Sequence, residues 1–220
     1  MLDDNTIEIW EIDINNQNLE KAKERINNLS KLEREKLKGF KFKKDYQVYL
    51  ITHVAMRDLI SRYTGIKANK IEYWYEEKGK PKIKEDICFN LSHTHNKGII
   101  GFYKKDIGVD IEYKKEIEDY DGVGELVFTK EEIKYINNND YNRKERFYEI
   151  WTKKEAVIKS TGEGLNEEVK NLSVGTRNNF YCGRYIWQIK KIKIDEPYIA
   201  HIAYKNWLSG EVKLYNFSFK

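Results

Sequence analysis

A chain of 220 residues is long enough to bury a core as one large domain or as two domains of roughly 100 residues each. Charged residues make up 35% and aromatic residues 14% of the sequence, and this aromatic content excludes a disordered chain. The formal net charge of +4 comes from 40 basic and 36 acidic residues. This balance is too even for a nucleic-acid binder with a dominant basic face, although it permits an acidic partner.

The sequence also lacks the features of an exported or membrane protein. Its start, MLDDNTIEIW, carries acids where a secretory signal needs a basic region, and no apolar run reaches about 18 residues. Two cysteines, Cys88 and Cys182, are far apart and have no Cys-x-x-Cys or Cys/His spacing around them. We therefore expect a cytoplasmic protein with two free thiols, no zinc site and no membrane partner.

The first half of the chain begins with a strand and a series of helices. Apolar and polar residues alternate over 6–14, and a slip in the alternation at Trp10 indicates a β-bulge. The stretch SKLE at 30–33 has the form of a capping box, which starts a short helix that ends at Gly39. The apolar residues over 44–63 share one wide helical face, so this stretch is predicted to be the core helix.

Short strands are predicted next, over 71–75, 88–91, 97–103 and 108–112. An acidic stretch over 114–124 is interrupted by two glycines and is predicted to cross between two halves of the chain. The second half has a short helix from Lys130 and a long helix over 143–161, followed by strands over 172–176, 185–194, 198–204 and 212–219. Helices precede strands in both halves, which predicts an α+β fold and is compatible with a structural duplication.

One strand carries two acids with the spacing of a cation site. In GVDIE at 108–112, strand alternation places Val109 and Ile111 on one face and Asp110 and Glu112 on the other. Two carboxylates at adjacent positions of one face can bind a hard cation. The alternative is the solvated acidic face of an edge strand, and the pair alone does not decide between them.

The long helix of the second half carries a polar stripe. Trp151, Glu155 and Lys159 recur at i, i+4 and i+8, so they share one helix face. A Glu and a Lys four residues apart also form an ordinary surface pair, which contributes a few tenths of a kcal/mol. The stripe is therefore informative only in combination with the acidic strand.

Three blocks of the sequence together resemble the signature blocks of the Sfp-type 4′-phosphopantetheinyl transferases. The blocks are FNLSHT at 89–94, GVDIE at 108–112 and WTKKEAVIKSTGEGL at 151–165, and both their order and their spacing are similar to those of the family. The resemblance extends upstream to the stretch GKP at 79–81 and to Lys36, and it covers residues 30–170 in all. Beyond residue 175 only the strand-rich character is similar.

The resemblance implies transfer of the 4′-phosphopantetheine arm of coenzyme A to a serine hydroxyl of an apo carrier protein (acyl, peptidyl or aryl), with release of 3′,5′-ADP. The fold that it implies has two similar α+β halves, 1–113 and 114–220, with coenzyme A in a cleft between them. The first half would contact the 3′-phosphate and adenine, and the second half the metal and pyrophosphate. Shorter trimeric relatives build their site between subunits, so a chain holding both halves is expected to be a monomer.

The resemblance also implies a metal site and catalytic residues. Asp110, Glu112 and Glu155 would be ligands of Mg²⁺, with Mn²⁺ as an alternative, and the site would straddle the two halves. Such an ion suits attack on a pyrophosphate, which needs charge neutralisation. Asp110, Glu155 and Lys159 would be catalytic: Glu155 would help to take the proton from the carrier serine, and Lys159 would neutralise the leaving phosphate.

The resemblance further implies that a set of residues contacts coenzyme A. Ser92 and His93 would contact its phosphates, with His93 near the 3′-phosphate, and Lys80 and Pro81 would lie beside the adenine. The full predicted set is Lys36, Lys80, Pro81, Ser92, His93, Lys154 and Lys159.

Two positions depart from the family pattern. Val48 stands where relatives often carry arginine, and Glu33 stands where some carry a lysine that reaches toward the 3′-phosphate. The phosphate pocket would then be less cationic, and the enzyme would discriminate less between coenzyme A and its dephospho form. His53 and His95 are predicted to be packing or surface residues, and Glu132 has no assigned role.

Two other classes of protein remain alternatives at this stage. The first is a non-catalytic protein that binds coenzyme A, which the loss of an acid or lysine from the motifs would favour; none is lost. The second is a basic nucleic-acid-binding module, which a pI of 8.7 allows, although no stacking motif supports it. The identity of the carrier protein does not follow from the sequence.

Overall fold

The computed structural model of the protein describes residues 2–164, 171–175, 179–182, 185–205 and 210–219. It has an α+β fold in two compact units. Unit 1 comprises Met1–Glu76, Pro81–Lys104 and Gly210–Lys220, and unit 2 comprises Glu77–Lys80 and Lys105–Ser209. No helix among the described residues is both long enough and apolar enough to cross a membrane.

The helices and strands follow one another in chain order. Unit 1 contains β1 (Thr6–Asp13), α1 (Leu19–Glu24), α2 (Lys31–Lys38), α3 (Lys43–Thr64), β2 (Trp74–Tyr75), β3 (Pro81–Lys82), β4 (Cys88–Thr94) and β5 (Lys97–Tyr103). Unit 2 contains β6 (Ile107–Tyr113), α4 (Tyr120–Val127), α5 (Lys130–Ile136), α6 (Arg143–Thr161), β7 (Asn179–Cys182), β8 (Tyr185–Ile192) and β9 (Tyr198–Lys205). The chain then returns to unit 1 as β10 (Glu211–Asn216).

Unit 1 is a four-stranded sheet with α3 packed against it. The strand order is β10-β1-β5-β4, in which β10 runs parallel to β1 and the other pairs are antiparallel. A capping box starts α2, since the side chain of Ser30 accepts from Glu33 N while the Glu33 carboxylate accepts from Ser30 N. Gly65, with φ of 75°, ends α3 in the left-handed conformation that glycine adopts readily.

Unit 2 repeats this plan with its own apolar core. The antiparallel sheet has the order β6-β9-β8-β7, and α6 packs against β6 and β9. Gly108 on β6 lies directly under α6: a Cβ added there would be 2.1 Å from the carbonyl oxygen of Ala156 and 2.3 Å from the amide nitrogen of Ser160. Only glycine allows this close approach, which brings the acids that follow on β6 next to the helix.

The two units differ from the predicted division at 113/114. The strand β6 belongs to unit 2 because it pairs with β9, and β10 belongs to unit 1 because it pairs with β1. Both pairings join segments that are distant in sequence, and no local pattern indicates them.

Most predicted elements are present with shifted ends. The strand over 97–103 and the helix over 143–161 are confirmed residue for residue. The prediction of a β-bulge at Trp10 was wrong, because β1 pairs with β5 one residue to one residue through Trp10. Ile9 and Trp10 are both buried, so the slip in alternation reflects burial on both faces of a central strand.

Three further predictions of elements need correction. The stretch over 114–124 is not only a crossing, since α4 begins within it. No strand forms over residues 172–175, and Thr176, the last residue predicted there, lies outside the described residues. The strand β7 was not predicted.

Candidate active site

The acids of β6 and the polar stripe of α6 meet in unit 2. Asp110 is 3% exposed and Glu112 is half-buried, and strand alternation places both on the same side of β6. The ammonium of Lys159 donates to Oδ1 of Asp110 at 2.6 Å. The close approach at Gly108, two residues before Asp110, explains why a side chain of α6 reaches this carboxylate.

Glu155 lies one helical turn before Lys159 and in the field of the same aspartate. Burial raises the pKa of Glu155, and the negative charge of Asp110 raises it further, while the ammonium of Lys159 opposes both effects. A carboxylate with a raised pKa is a better proton acceptor than an ordinary glutamate. The cluster of Asp110, Glu155 and Lys159 therefore combines an acceptor for a proton with a partly exposed cation.

The predicted metal ligands need one correction. Asp110, Glu112 and Glu155 all belong to unit 2, so they do not come from two halves of the chain as expected. Among the residues that the structure describes, no three His, Cys, Asp or Glu side chains are arranged to hold a metal ion. The donor set nevertheless fits a hard divalent cation, because it consists of carboxylates alone and Asp110 and Glu155 repel each other electrostatically.

The structure gives Lys154 a different role from the predicted phosphate contact. Its ammonium is fully buried, lies 3.0 Å from Oε2 of Glu132 and donates to the carbonyl of Val127 at 2.9 Å. Burial lowers the pKa of Lys154, and the charge of Glu132 opposes this shift. A phosphate cannot reach an enclosed ammonium, so the sequence prediction does not match this geometry.

The same contacts explain Glu132, which had no assigned role. Its carboxylate completes the capping box of α5 by accepting from the amide of Thr129 at 2.9 Å, and it accepts from the amide of Val174 at 2.7 Å. With Lys154, it ties α5 and the segment after α6 to α6 itself. Glu132 is thus a structural residue of unit 2.

Lys80 also differs from its predicted place beside an adenine. Its side chain is buried, donates to the carbonyl of Ser160 at 2.6 Å and lies 3.7 Å from Oδ1 of Asp106. Because Ser160 lies in the last turn of α6, this ammonium satisfies a carbonyl at the negative end of the helix dipole. Lys80 fixes the end of the helix that carries Glu155 and Lys159.

A cavity of about 320 Å³ in unit 1 brings several of the other predicted residues together. Lys36, Pro81 and His93 all line it. The Lys36 ammonium lies 5.1 Å from the centre of the Tyr49 ring, which forms part of the wall. The cavity therefore presents cationic and aromatic groups to the same space.

Ser92 does not share this cavity with His93. The two residues are neighbours on β4, so their side chains point to opposite faces of the sheet, and Ser92 is buried while His93 is exposed. Only His93 lines the cavity. Of the predicted phosphate contacts in unit 1, the structure thus brings together Lys36 and His93.

The cavity also contains a network that the sequence analysis missed. Oε2 of Glu33 accepts from Arg57 Nε at 2.7 Å, and Oε1 lies 3.2 Å from Nδ1 of His53. Glu33, Arg57 and His53 lie on α2 and α3, and both Glu33 and His53 line the cavity. Glu33 occupies the N3 position of its capping box, as Glu132 does in unit 2, and this recurring motif was the available signal.

Comparison with known proteins identifies the family to which the chain belongs. A model described as the 4′-phosphopantetheinyl transferase superfamily matches residues 106–202, and a model of the N-terminal part of a 4′-phosphopantetheinyl transferase matches residues 16–100. The first match contains β6 and α6, and the second contains α2, α3 and β4. The chain belongs to the 4′-phosphopantetheinyl transferase family.

Individual relatives are similar over part of their length. The 4′-phosphopantetheinyl transferase Sfp of Bacillus subtilis is 33% identical over 149 residues, which are 66% of each chain. HetI of Nostoc sp. is 26% identical over 157 residues, 67% of this chain and 66% of that protein. The mouse L-aminoadipate-semialdehyde dehydrogenase-phosphopantetheinyl transferase is 24% identical over 201 residues, 78% of this chain and 65% of that protein. These matches span just under two thirds of each relative.

Proposed function

We propose that this protein transfers the 4′-phosphopantetheine arm of coenzyme A to a serine hydroxyl of an apo carrier protein and releases 3′,5′-ADP. The observation that carries the proposal is the cluster of Asp110, Glu155 and Lys159, in the part of the chain that matches the superfamily model. The names of the relatives support the same reaction.

Coenzyme A would be held by its charges at two places. We assign its 3′-phosphate to the cavity of unit 1, where Lys36 and His93 face the same space, with Pro81 on the adenine side. We assign its pyrophosphate to the cluster of unit 2, where Lys159 offers an ammonium that can exchange Asp110 for a phosphate oxygen. Lys154 and Lys80 would support this second place from within the fold.

Asp110, Glu112 and Glu155 would hold Mg²⁺, or Mn²⁺ in its place. Proteins bind Mg²⁺ through one or two carboxylates and leave its other positions to water and substrate phosphates, so a preformed cage of three side chains is not required. The ion, when bound, supplies positive charge to the pyrophosphate. Its positive charge would also offset the repulsion between Asp110 and Glu155 that raises the pKa of Glu155.

The transfer step forms one bond and breaks one. The oxygen of the carrier serine bonds to the phosphorus that bears the pantetheine arm, and the bond from that phosphorus to the bridging oxygen breaks. Glu155 takes the serine proton, directly or through one water. The electron pair leaves on 3′,5′-ADP, where Lys159 stabilises the added charge.

The proposal also includes a monomer in the cytoplasm that binds no nucleic acid. One experiment tests its main part: incubation with Mg²⁺, coenzyme A and a panel of acyl, peptidyl and aryl apo-carriers, followed by mass measurement of each carrier. We expect at least one carrier to gain a phosphopantetheine arm. Excess EDTA should abolish the transfer.

Variants of the buried Asp110 and the half-buried Glu155 sharpen this experiment. Asp110→Ala and Glu155→Gln should abolish transfer, whereas Glu131→Gln, an exposed glutamate on α5, should keep wild-type turnover. Circular dichroism checks that each variant is folded. Full activity in Asp110→Ala or Glu155→Gln would refute the assigned roles, and a failure to modify any carrier would refute the function.

A further inference from the structure

His53 lies in the wall of the cavity of unit 1 and is held there from two sides. Its ring stacks on Tyr49 with 3.7 Å between ring centres and an angle of 21°, and its Nδ1 lies 3.2 Å from Oε1 of Glu33. Lys36 and His93 line the same cavity. A histidine oriented by a stack and a carboxylate has a defined direction for its second nitrogen.

The two oxygens of Glu33 have separate tasks. Oε2 accepts from Arg57 Nε and from the Ser30 amide, both at 2.7 Å, which leaves Oε1 for His53. Burial raises the pKa of Glu33, but the hydrogen bond with His53, the charge of Arg57 and the bonds from Ser30 outweigh it and lower the pKa to about 2. Glu33 is therefore ionised, and Nδ1–H of His53 donates to it.

Nε2 is then the ring nitrogen of His53 that can meet a ligand. Among the described residues, the hydrogen bonds of His53 involve Nδ1 alone. In the neutral ring Nε2 carries a lone pair, which repels a phosphate oxygen, whereas in the protonated ring it carries a hydrogen that a phosphate oxygen accepts.

We propose that His53 is a phosphate-binding residue of this enzyme, which takes up a proton from solvent when the 3′-phosphate of coenzyme A binds and then donates from Nε2 to it. This inference rests on the proposed function, since it takes the cavity as the place of the 3′-phosphate. It assigns to this chain a contact whose strength depends on pH.

The surrounding groups favour a neutral ring in the free protein and a charged ring in the complex. Burial lowers the pKa of His53, the hydrogen bond and charge of Glu33 oppose this, and Lys36 and Arg57 lower it slightly more. A bound phosphate of charge between about −1.5 and −2 reverses the balance. The other titratable groups that line the cavity are Tyr49, Tyr73, Tyr75 and His93.

The three tyrosines do not titrate near neutral pH, because burial raises the pKa of each. His93 is the remaining group that can change its charge there, so it requires its own control. The phosphate of the ligand also titrates near pH 6, with every variant alike, so substitution of the two histidines separates their contribution from that of the ligand.

A consequence concerns selectivity for coenzyme A over 3′-dephospho-coenzyme A. Because Val48 and Glu33 stand where relatives carry cations, the sequence predicts weak discrimination between coenzyme A and its dephospho form. A protonated His53 would restore one cation, so discrimination should be strong at low pH and weak at high pH. Each unit by which binding raises the pKa of His53 changes the affinity by at most about tenfold between low and high pH.

The test is isothermal titration calorimetry with both ligands at about pH 6.5 and 8.5, for wild type, His53→Gln and His93→Gln. The wild-type affinity ratio of coenzyme A to 3′-dephospho-coenzyme A should fall severalfold between these pH values, because burial lowers the pKa of His53 in the free protein and the ring is charged only in the complex. His93 lines the same cavity and can contribute to this fall. The fall that remains in His93→Gln should therefore disappear in the double variant His53→Gln/His93→Gln. In buffers of different ionisation enthalpy, His93→Gln should take up protons with coenzyme A and not with the dephospho form, and the double variant should take up protons with neither.

A measurement without substitution covers the case in which His53→Gln does not fold. In wild-type protein with labelled histidines, NMR titration should show that the pKa of the His53 imidazole rises on addition of 3′,5′-ADP and not of 5′-AMP, whether or not that of His93 rises as well. If coenzyme A binds without proton uptake, with no imidazole pKa raised and with the same pH profile in His53→Gln, the inference is wrong and the proposed function stands. If neither ligand binds wild type at any pH, the proposed function itself fails.

Discussion

The ammonium of Lys159 lies 2.6 Å from Oδ1 of Asp110, and this ion pair joins the last turns of α6 to the middle of β6. The aspartate is almost fully buried while the lysine side chain is 28% exposed. The lysine side chain therefore has access to solvent, whereas the carboxylate that it contacts is enclosed by the protein. An ordinary surface pair has two mobile partners and contributes at most about 1 kcal/mol.

Lys159→Ala should lower kcat by about 10²-fold or more, because it would remove the proposed contact of a preorganised charge with the leaving phosphate. The KM for the carrier should change much less. Stopped assays with a fixed carrier and varied coenzyme A, and the reverse, would measure these constants. Lys130→Ala, an exposed lysine at the start of α5, is the matched control. A Lys159→Ala enzyme with normal turnover would reduce the pair to ordinary surface chemistry.

The buried pair of Lys154 and Glu132 should behave as a structural unit. Lys154→Met and Glu132→Gln should each lower the free energy of unfolding by about 3 kcal/mol, because each leaves a buried charge without its partner. The double variant should recover about 1–3 kcal/mol of the summed loss. Its affinity for coenzyme A should then stay near that of wild type. A stable double variant that binds coenzyme A tenfold more weakly would return Lys154 to the phosphate site.

The buried imidazole of His201 should make the protein less stable at mildly acidic pH. Burial, with Lys153 and Lys191 nearby, lowers the pKa of His201 to about 3, while Thr152 Oγ1 lies 2.7 Å from its Nδ1. As pH falls below about 6.5, the unfolded chain takes up a proton that the folded chain refuses, so unfolding becomes easier. When the pH falls from about 6.5 to 5, the free energy of unfolding should decrease by about 1–2 kcal/mol more in wild type than in His201→Asn. Urea unfolding at both pH values measures this difference, and equal losses would contradict it.

Gly108→Ala tests the close approach of β6 and α6. The added Cβ would lie 2.1 Å from a backbone oxygen of α6, so helix and strand must separate and the Asp110–Lys159 pair with them. We expect a loss of about 2 kcal/mol or more in stability, together with a lower kcat. Gly175→Ala is the control, because the nearest atom to its added Cβ is 3.9 Å away. A Gly108→Ala protein with wild-type melting temperature and turnover would contradict the geometry.

Local patterns predicted the parts of the fold that depend on neighbours in sequence. The capping box at Ser30, the bounds of α6 and the common side of Asp110 and Glu112 all follow from residues within one or two turns of each other. These features are confirmed because a cap, a helical face and a strand face are set by short-range geometry.

Long-range pairing decided the features that were missed. Lys154 belongs to a motif in which another lysine, Lys159, contacts the carboxylate of Asp110 on β6. Nothing local shows that the partner of Lys154 is Glu132, on another helix. The same is true of His53, whose ring is held between Tyr49 and Glu33 only in the folded chain. The sequence indicates a buried cation or histidine poorly, since its partner can lie on any neighbouring element.

The parallel pairing of β10 with β1 has a consequence for the making of the protein. Thr6 is opposite Glu211 in this pair, so that edge of β1 has no β10 beside it until the ribosome has passed Glu211. Unit 2 is almost continuous in sequence and can fold first. Unit 1 begins earlier in the chain, but it is completed only when β10 has been made. Until then the open edge of an apolar strand is a template for aggregation. A chain stopped before Glu211 should therefore sediment with the insoluble fraction of an expressing cell.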